Sequence, residues 1–128
     1  MLNNIKQGCP QSGIANAGVV YEAPVEGDIT RLMGIFEDYK DLERIGSVRS
    51  CRDYYIFYAN EFDAIYAHYG QSAFALPYFE QHLIDNLNGV KLGKICYFRS
   101  TDRKAPHNAY TTYELLQQGI DKMGYRRE

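Results

Sequence analysis

The sequence has few of the residues and runs that mark several classes of protein. It has no tryptophan, and its three cysteines, Cys9, Cys51 and Cys96, stand far apart, without a C-x-x-C pair or a histidine at metal-ligand spacing. No apolar run approaches the ~20 residues of a spanning helix, and no charged-then-apolar leader opens the chain. We therefore expect free thiols, no metal site and a soluble chain; one disulfide with one thiol left over is the alternative.

Sequence motifs of well-known enzymes are absent as well. The chain contains no G-x-S-x-G elbow, no Walker loop, no G-x-G-x-x-G and no H-E-x-x-H. Its net charge of −2 and its sequence pI near 5.9 argue against a protein that binds a phosphate backbone. We therefore expect no cofactor and no nucleic-acid partner, and composition leaves open whether the protein is an enzyme.

Tyrosine is the residue that the sequence has in plenty. Twelve tyrosines stand among 128 residues, of which 45% are hydrophobic. A chain of this length is one ordinary domain that removes roughly two-thirds of its unfolded surface from water. Because a tyrosine buries its ring but needs a partner for its hydroxyl, the sequence predicts a core with polar groups inside it.

Short apolar patterns alternate along the chain between the period of a strand and that of a helix. They predict strands over 19–26, 29–36, 63–70 and 94–98, and helices from 51 or 52 through 62, over 77–89 and from 111 onward. Ser50 and Thr111 are expected to cap the first and last helices, and Gly124 to end the last. The interleaved elements predict the α/β class, with α+β possible, as a layered sandwich of a mixed sheet with helices packed on it.

Two arginines flank a serine at the start of the first predicted helix. Arg49 and Arg52 stand on either side of Ser50, where a helix N-terminus presents free amides, so the three side chains could form an anion pocket. The alternative is that the arginines form ion pairs that fasten strands to the helix. Their partners would be Asp53, Glu22 or Glu26.

A second group of charged residues follows a proline and a glycine in the segment EAPVEGDITR. Glu22 and Glu26 lie four residues apart, which places them about 13 Å apart in an extended chain. This distance is too long for paired acid and base chemistry unless the segment folds back on itself. A structural ion pair, for example with Arg31, is the other interpretation.

The segment RSTDRKAPHNAY, residues 99–110, is the richest in polar side chains. Pro106 fixes the chain before His107, and Asn108 can bond its own turn, so the imidazole could act as a general base or as a donor to an anion. It could equally cap the loop over a tyrosine. His68, on a predicted strand, could be a ligand or a hydrogen-bonded core residue.

Five pieces of the sequence resemble one family in order and spacing. They are PQSG, VYEAPVEGDITR, IGSVRSCRDYY, DAIYAHYG and RSTDRKAPHNAYT, and together they look like the N-terminal domain of the YerB-like bacterial lipoproteins, a family whose function is not established. The resemblance implies an extracytoplasmic protein that is lipid-anchored to the cell membrane. It also implies that residues 1–128 form a single such domain, without the family's leader, first strand and C-terminal domain, so that contact with a membrane would come only through an anchor absent from this chain.

The positions that match the family's motifs are mostly polar: Glu22, Glu26, Thr30, Arg31, Arg49, Ser50, Arg52, His68, Arg99, Arg103, His107 and Asn108. Our leading hypothesis is a non-enzymatic domain in which Arg49, Arg52 and Arg103 hold an anionic ligand of the cell envelope. Glu22 or Glu26, together with His107 and Asn108, would orient these arginines or the hydroxyls of the ligand. One alternative is a hydrolase or transferase that acts on an envelope substrate with His107 or Glu26 as base. Another is an interaction module that binds another envelope protein.

Overall fold

The computed structural model describes residues 1–126, in which seven strands and four α-helices interleave. The strands are β1 Val19–Pro24, β2 Thr30–Ile35, β3 Ile45–Gly46, β4 Tyr66–His68, β5 Asn86–Asn88, β6 Phe98–Arg99 and β7 Ala109–Thr111. The helices are α1 Asp53–Glu61, α2 Leu76–Glu80, α3 Gly89–Leu92 and α4 Tyr113–Met123. Strands and helices are thus mixed, with both parallel and antiparallel pairs, and the predicted α/β class is confirmed.

An antiparallel hairpin of β1 and β2 opens the fold. Val19 stands opposite Ile35, and Pro24 stands opposite Thr30 at the turn end. Gly27 supplies the left-handed backbone of the turn, with a φ of 75°. The predicted strands 19–26 and 29–36 are confirmed, and β1 ends at Pro24 because a proline has no N–H to continue the ladder.

The segment Met1–Asn3 connects this hairpin to the rest of the molecule. The Leu2 N–H donates to Leu32 O at 2.7 Å, and the Arg49 N–H donates to Met1 O at 3.0 Å. This segment therefore runs extended between β2 and residues 47–49. Beyond it lies an antiparallel sheet in which β7 is flanked by β3 and β6.

A parallel pair, β4 with β5, replaces part of a predicted helix. The predicted strand 63–70 is confirmed in the shorter form of β4. The predicted helix over 77–89 is wrong beyond Glu80, because the chain turns at His82, with a φ of 55°, and then pairs with β4. Leu83, Ile84 and Leu87 satisfy the helical period, but Leu87 belongs to β5.

Both predicted helix caps are displaced. Ser50 Oγ donates to Tyr69 O at 3.2 Å, and α1 begins after Arg52 without a side-chain cap. Thr112 caps α4 by accepting the Leu115 N–H at 3.2 Å, whereas Thr111 Oγ1 donates to Cys96 O. Gly124 ends α4 in the left-handed conformation, as predicted.

The predicted strand over 94–98 is also wrong for most of its length. Cys96 and Tyr97 are both buried although they are neighbours, and a strand with one buried face would bury alternate residues. A short 3₁₀ turn, Gly93–Ile95, precedes them, and β6 begins only at Phe98.

The core consists of two clusters that lie on opposite faces of the strands. Ile65 and Tyr66 are consecutive, yet they pack in different clusters. One cluster includes Tyr55 and Ile56 of α1, and the other includes Ile120 of α4. The two helices therefore cover different faces.

Buried tyrosine hydroxyls bond to backbone carbonyls inside both clusters. Tyr97 Oη donates to Leu87 O at 2.6 Å, and Tyr55 Oη donates to Arg31 O. The predicted polar groups within the core are thus present.

The cysteines are free thiols, as predicted, with Cys9 exposed and Cys51 and Cys96 buried. Over residues 1–126 we find no helix whose length and apolar character would suffice to span a membrane.

Candidate functional site

Arg31 is a buried arginine on β2. Because its side chain points inward from the hairpin, only 5% of its surface is exposed. Its Nη1 donates to Ser50 O at 3.0 Å, and within residues 1–126 no carboxylate lies within ion-pair distance of it. Burial first, and then the neighbouring Arg52 and Arg49, lower the pKa of Arg31 to about 10, although the Glu26 carboxylate acts in the opposite direction. A buried cation without a carboxylate in direct contact is unusual in a folded protein.

Arg49 belongs to the extended segment that follows Val48, and it lies near Arg31 of β2. Its backbone is held on both sides, because its N–H donates to Met1 O and its carbonyl accepts the Tyr69 N–H. Its Nη1 donates to His107 Nδ1 at 3.1 Å. Burial, Arg52 and then Arg99 lower the pKa of Arg49, so several guanidinium groups act on one another. We call Arg31, Arg49, Arg52 and Arg99 the arginine cluster.

His107 is a neutral hydrogen-bond partner of this cluster. Two groups donate hydrogen bonds to its Nδ1: Asn3 Nδ2 at 2.8 Å and Arg49 Nη1. Asn3 is fixed in this orientation because its Oδ1 accepts the Ile5 N–H. Nδ1 is therefore the acceptor and the proton lies on Nε2. Burial, Arg49 and Arg31 lower the pKa of His107, which keeps the ring uncharged at neutral pH.

Arg52 has the acidic partner that the ion-pair interpretation predicts. Its Nη2 and Nε donate to Glu26 Oε2 at 2.8 and 3.1 Å, and this hydrogen bonding lowers the pKa of Glu26. A depression of about 350 Å³ opens beside the pair and is lined by both residues together with Tyr54 and Phe74. Arg52 thus lies at the solvent edge of the cluster.

The other predicted site residues have structural partners elsewhere. Glu22 accepts from Thr30 Oγ1 at 2.7 Å and from Asn4 Nδ2 at 3.0 Å. Arg103 donates to the carbonyls of Gly8 and Pro10, both at 2.9 Å, and thereby holds the N-terminal loop. No hydrogen bond in the described part of the chain links either residue to the arginine cluster.

Asn108 and His68 are held by their own surroundings. Asn108 is buried and accepts from Arg99 Nη1 at 2.9 Å, which fixes one member of the cluster. His68 is fully buried, donates from Nδ1 to Gly70 O and stacks on Phe79 at 4.7 Å. Burial lowers the pKa of His68 to about 4, so it is a neutral core residue.

The structure therefore brings together Arg31, Arg49, Arg52 and His107, with Arg31 bonded to the Ser50 carbonyl. It leaves Arg103, Glu22 and His68 apart. Sequence reasoning missed Asn3 as a partner of His107, and it did not place Arg99 in the site. The pattern around Asn3 holds no signal for this role, because the contact joins residues 104 positions apart. No group of histidine, cysteine and acidic residues within 1–126 is arranged to hold a metal.

Comparison with known proteins places the chain in a family. Residues 1–126 match the family model described as "Protein of unknown function (DUF3048) N-terminal domain". The chain is 36% identical over 126 residues to "Putative lipoprotein YerB" of Bacillus subtilis (strain 168), covering 98% of this chain and 38% of that protein.

A solved structure shows the same fold. The crystal structure of the YerB protein from Bacillus subtilis superposes with a TM-score of 0.93 at 36% identity, covering 98% of this chain and 43% of that chain. The chain thus spans about two-fifths of the length of the relatives it matches. On the match of residues 1–126, the chain belongs to the family of DUF3048 N-terminal domains, whose function is unknown.

Proposed function

We propose that this domain binds an anionic ligand of the bacterial cell envelope through the arginine cluster, without chemical turnover. The observation that carries the proposal is the burial of Arg31, which is 5% exposed and has no carboxylate within ion-pair distance among residues 1–126. Burying a cation costs free energy that an acidic partner would normally offset. An anionic ligand would supply that partner.

The charge around Arg31 supports the proposal. Of the four arginines in the cluster, only Arg52 has an ion-pair partner in the described residues, the exposed Glu26. Guanidinium groups bind carboxylate and phosphate oxygens through paired hydrogen bonds, each worth about 1.5–3 kcal/mol when charged. His107 adds a neutral donor, because its Nε2–H has no partner within residues 1–126.

The same contacts favour binding over the enzymatic alternative. A general base needs a free lone pair, and His107 Nδ1 already accepts from Asn3 and Arg49. Glu26, the other candidate base, is bonded to Arg52, which lowers its pKa. Neither group is set up to take a proton from a substrate.

The envelope location rests on the relative. The name of the Bacillus subtilis protein describes a lipoprotein, and we extend an extracytoplasmic, lipid-anchored location to this protein. Anionic wall polymers, peptide carboxylates and lipid phosphates share the chemistry that the cluster would recognise.

A thermal-shift assay tests the proposal. The probes are poly(glycerol phosphate), a dipeptide with a free carboxylate, and phosphatidylglycerol vesicles, with a neutral glycan as reference. A ligand at about 100 times its Kd adds about 2.7 kcal/mol of stability, which raises the Tm by roughly 10 °C.

The matched variants are Arg49→Ala and Lys122→Ala, which remove the same charge. Lys122 is exposed near the end of α4, so its variant should keep the full shift, whereas Arg49→Ala should lose most of it. If no anion raises the Tm of the wild-type chain, the proposal is wrong.

A further inference from the structure

Two bulky apolar side chains protrude beside the arginine cluster. Phe74 is 80% exposed and Val90 is 69% exposed, and they are the most exposed large hydrophobic side chains of residues 1–126. Phe74 lies in the turn before α2, and Val90 lies at the start of α3. Because so little of either side chain is buried, neither contributes much to the core, and both keep apolar surface in water. We call Phe74 and Val90 the apolar pair.

Backbone hydrogen bonds bring segment 70–74, which ends at Phe74, alongside the start of α1. The Cys51 N–H donates to Gly70 O at 3.0 Å, and the Ser72 N–H donates to Cys51 O at 3.1 Å. Residues 70–72 therefore lie next to residues 50–52. Phe74 follows Gly70 by four residues, which span at most about 13 Å.

Phe74 and Val90 each have a neighbour among residues 50–52. Phe74 and Arg52 line the same depression of about 350 Å³. A Cβ on Gly70 would lie 3.2 Å from Ser50 Oγ and 3.7 Å from Val90 Cγ2, so the side chains of Ser50 and Val90 lie on one side of Gly70. Since Ser50 and Arg52 stand two residues apart in an extended stretch, their side chains point the same way. The apolar pair and Arg52 therefore share one face.

Asn88 fixes Val90 in this position. Its Oδ1 accepts both the Gly70 N–H and the Val90 N–H, each at 3.0 Å. Its Nδ2 donates to Gln71 Oε1 at 3.1 Å. The start of α3 is thus tied to segment 70–74, and Val90 remains exposed at a defined place.

Cations outnumber carboxylates around the apolar pair, although the whole chain has a net charge of −2. The cations are Arg49, Arg52, Arg99 and Lys91, and the carboxylates are Glu26 and Asp53. Glu26 pairs with Arg52. Arg99 and Lys91 are exposed, and Lys91 directly follows Val90. This face therefore combines positive charge with protruding apolar side chains.

We propose that this face binds the surface of a membrane that contains anionic phospholipids. Lipid phosphates would occupy the arginine cluster, while Phe74 and Val90 would insert among the glycerol and acyl groups. The inference rests on the proposed function, because the phosphates would be the anions of the cluster. It adds a direct contact with lipid to the expected contact through an anchor.

The form of the apolar surface favours a lipid over other ligands. A soluble anion would leave Phe74 and Val90 in water, whereas a bilayer offers them an apolar environment next to the headgroup phosphates. A protein partner needs a contiguous apolar core in the interface, but the polar residues Gln71 and Ser72 separate the two side chains. A lipid surface accepts separate apolar side chains among cations.

Sedimentation with lipid vesicles tests the inference. The 128-residue chain is spun with vesicles of phosphatidylglycerol and phosphatidylcholine in equal amounts, and with vesicles of phosphatidylcholine alone. We expect binding to the anionic vesicles only, weakened by added salt because charge holds the phosphates. Phe74→Ser should weaken vesicle affinity by about tenfold and Val90→Ser by a smaller factor, because less apolar surface then leaves water.

Val20→Ser is the matched control for Val90→Ser. Val20 is 45% exposed, and it lies on β1 opposite Gly34, toward the end of the hairpin that is away from Glu26. This variant should bind vesicles as the wild-type chain does.

A second probe separates the headgroup from the bilayer. Glycerophosphoglycerol, the headgroup of phosphatidylglycerol without its acyl chains, is added in a thermal-shift assay. It should shift the Tm of the wild-type chain, Phe74→Ser and Val90→Ser equally, and that of Arg49→Ala less, because only the phosphate contacts are involved.

The outcomes distinguish this inference from the proposed function. If a soluble anion binds through Arg49 but anionic vesicles do not bind, or bind Phe74→Ser and Val90→Ser as tightly as the wild-type chain, the lipid inference is wrong and the proposed function stands. If neither soluble anions nor vesicles bind the wild-type chain, both are wrong. A dimer in light scattering that Phe74→Ser dissociates would also overturn the inference, since a second copy would then cover the apolar pair.

Discussion

Replacing Arg31 by methionine tests whether Arg31 serves to bind a ligand or to stabilise the fold. The pKa of Arg31 falls from 12.5 to about 10, chiefly through burial. Below about pH 10 Arg31 is charged in both the folded and the unfolded chain, so the cost of burying that charge is present in full at neutral pH. The difference corresponds to about 3 kcal/mol, which we reduce to about 2 kcal/mol for screening by solvent at the edge of the cluster.

Methionine would relieve this cost and lose one charged hydrogen bond to Ser50 O, worth about 1.5–3 kcal/mol. The two effects nearly cancel, so we expect Arg31→Met to change the free energy of unfolding by less than about 1 kcal/mol. A residue whose buried ion pair is broken loses about 3–5 kcal/mol instead. The variant should fold normally and yet lose anion binding.

Urea denaturation at pH 7, followed by far-UV circular dichroism, measures the difference. Arg44→Met is the matched control, because the Arg44 guanidinium stacks on Tyr110 at 4.0 Å and pairs with Asp102. It should lose about 1 kcal/mol. A loss of more than about 3 kcal/mol in the free energy of unfolding of Arg31→Met would refute the reasoning, because Arg31 would then stabilise the fold itself.

Three further predictions concern the fold that supports the site. The pKa of His68 is lowered from 6.5 to about 4, so the unfolded chain takes up this proton first as the pH falls. The free energy of unfolding should therefore drop by up to about 3 kcal/mol between pH 7 and pH 4. If the stability of His68→Gln fell with pH as steeply as that of the wild-type chain, this prediction would be wrong. A Cβ on Gly119 would lie 2.1 Å from Cys96 Sγ, so Gly119→Ala should cost about 1–3 kcal/mol of stability. Gln118 is exposed on the same helix, and Gln118→Ala should leave the Tm nearly unchanged. Equal Tm values for the two variants would contradict the close packing of Gly119 on Cys96. Thr112→Ala should cost about 1 kcal/mol through loss of the α4 cap, and Thr112→Ser should restore most of it in the same melting assay; no rescue would show that the hydroxyl does not act as a cap.

Local patterns were enough to predict the elements whose stability is local. The β-branched run and the proline place β1 and β2, and the apolar period with a threonine and a glycine places α4. The segment 77–89 was mispredicted because its apolar residues fit a helix and a buried strand equally well. Its pairing with β4, some 20 residues away in sequence, decides in favour of the strand.

The candidate site could be predicted in composition but not in geometry. Arg49 and Arg52 stand out because they flank Ser50, and the pairing of Arg52 with Glu26 was one of the two interpretations. The burial of Arg31 depends on the hairpin packing over Ser50, and the Asn3–His107 contact joins residues 104 positions apart. Such contacts depend on tertiary packing, which a spacing pattern does not encode.

A side-chain NMR titration tests the anion site most directly. Arginine Nε–H and Nη–H signals of the wild-type chain would be followed as inorganic phosphate and then poly(glycerol phosphate) are added. We predict saturable shifts at Arg31 and Arg49, together with the Nε2–H of His107, and none of these in Arg31→Met. Shifts confined to exposed lysines, or equal shifts in the variant, would contradict the account.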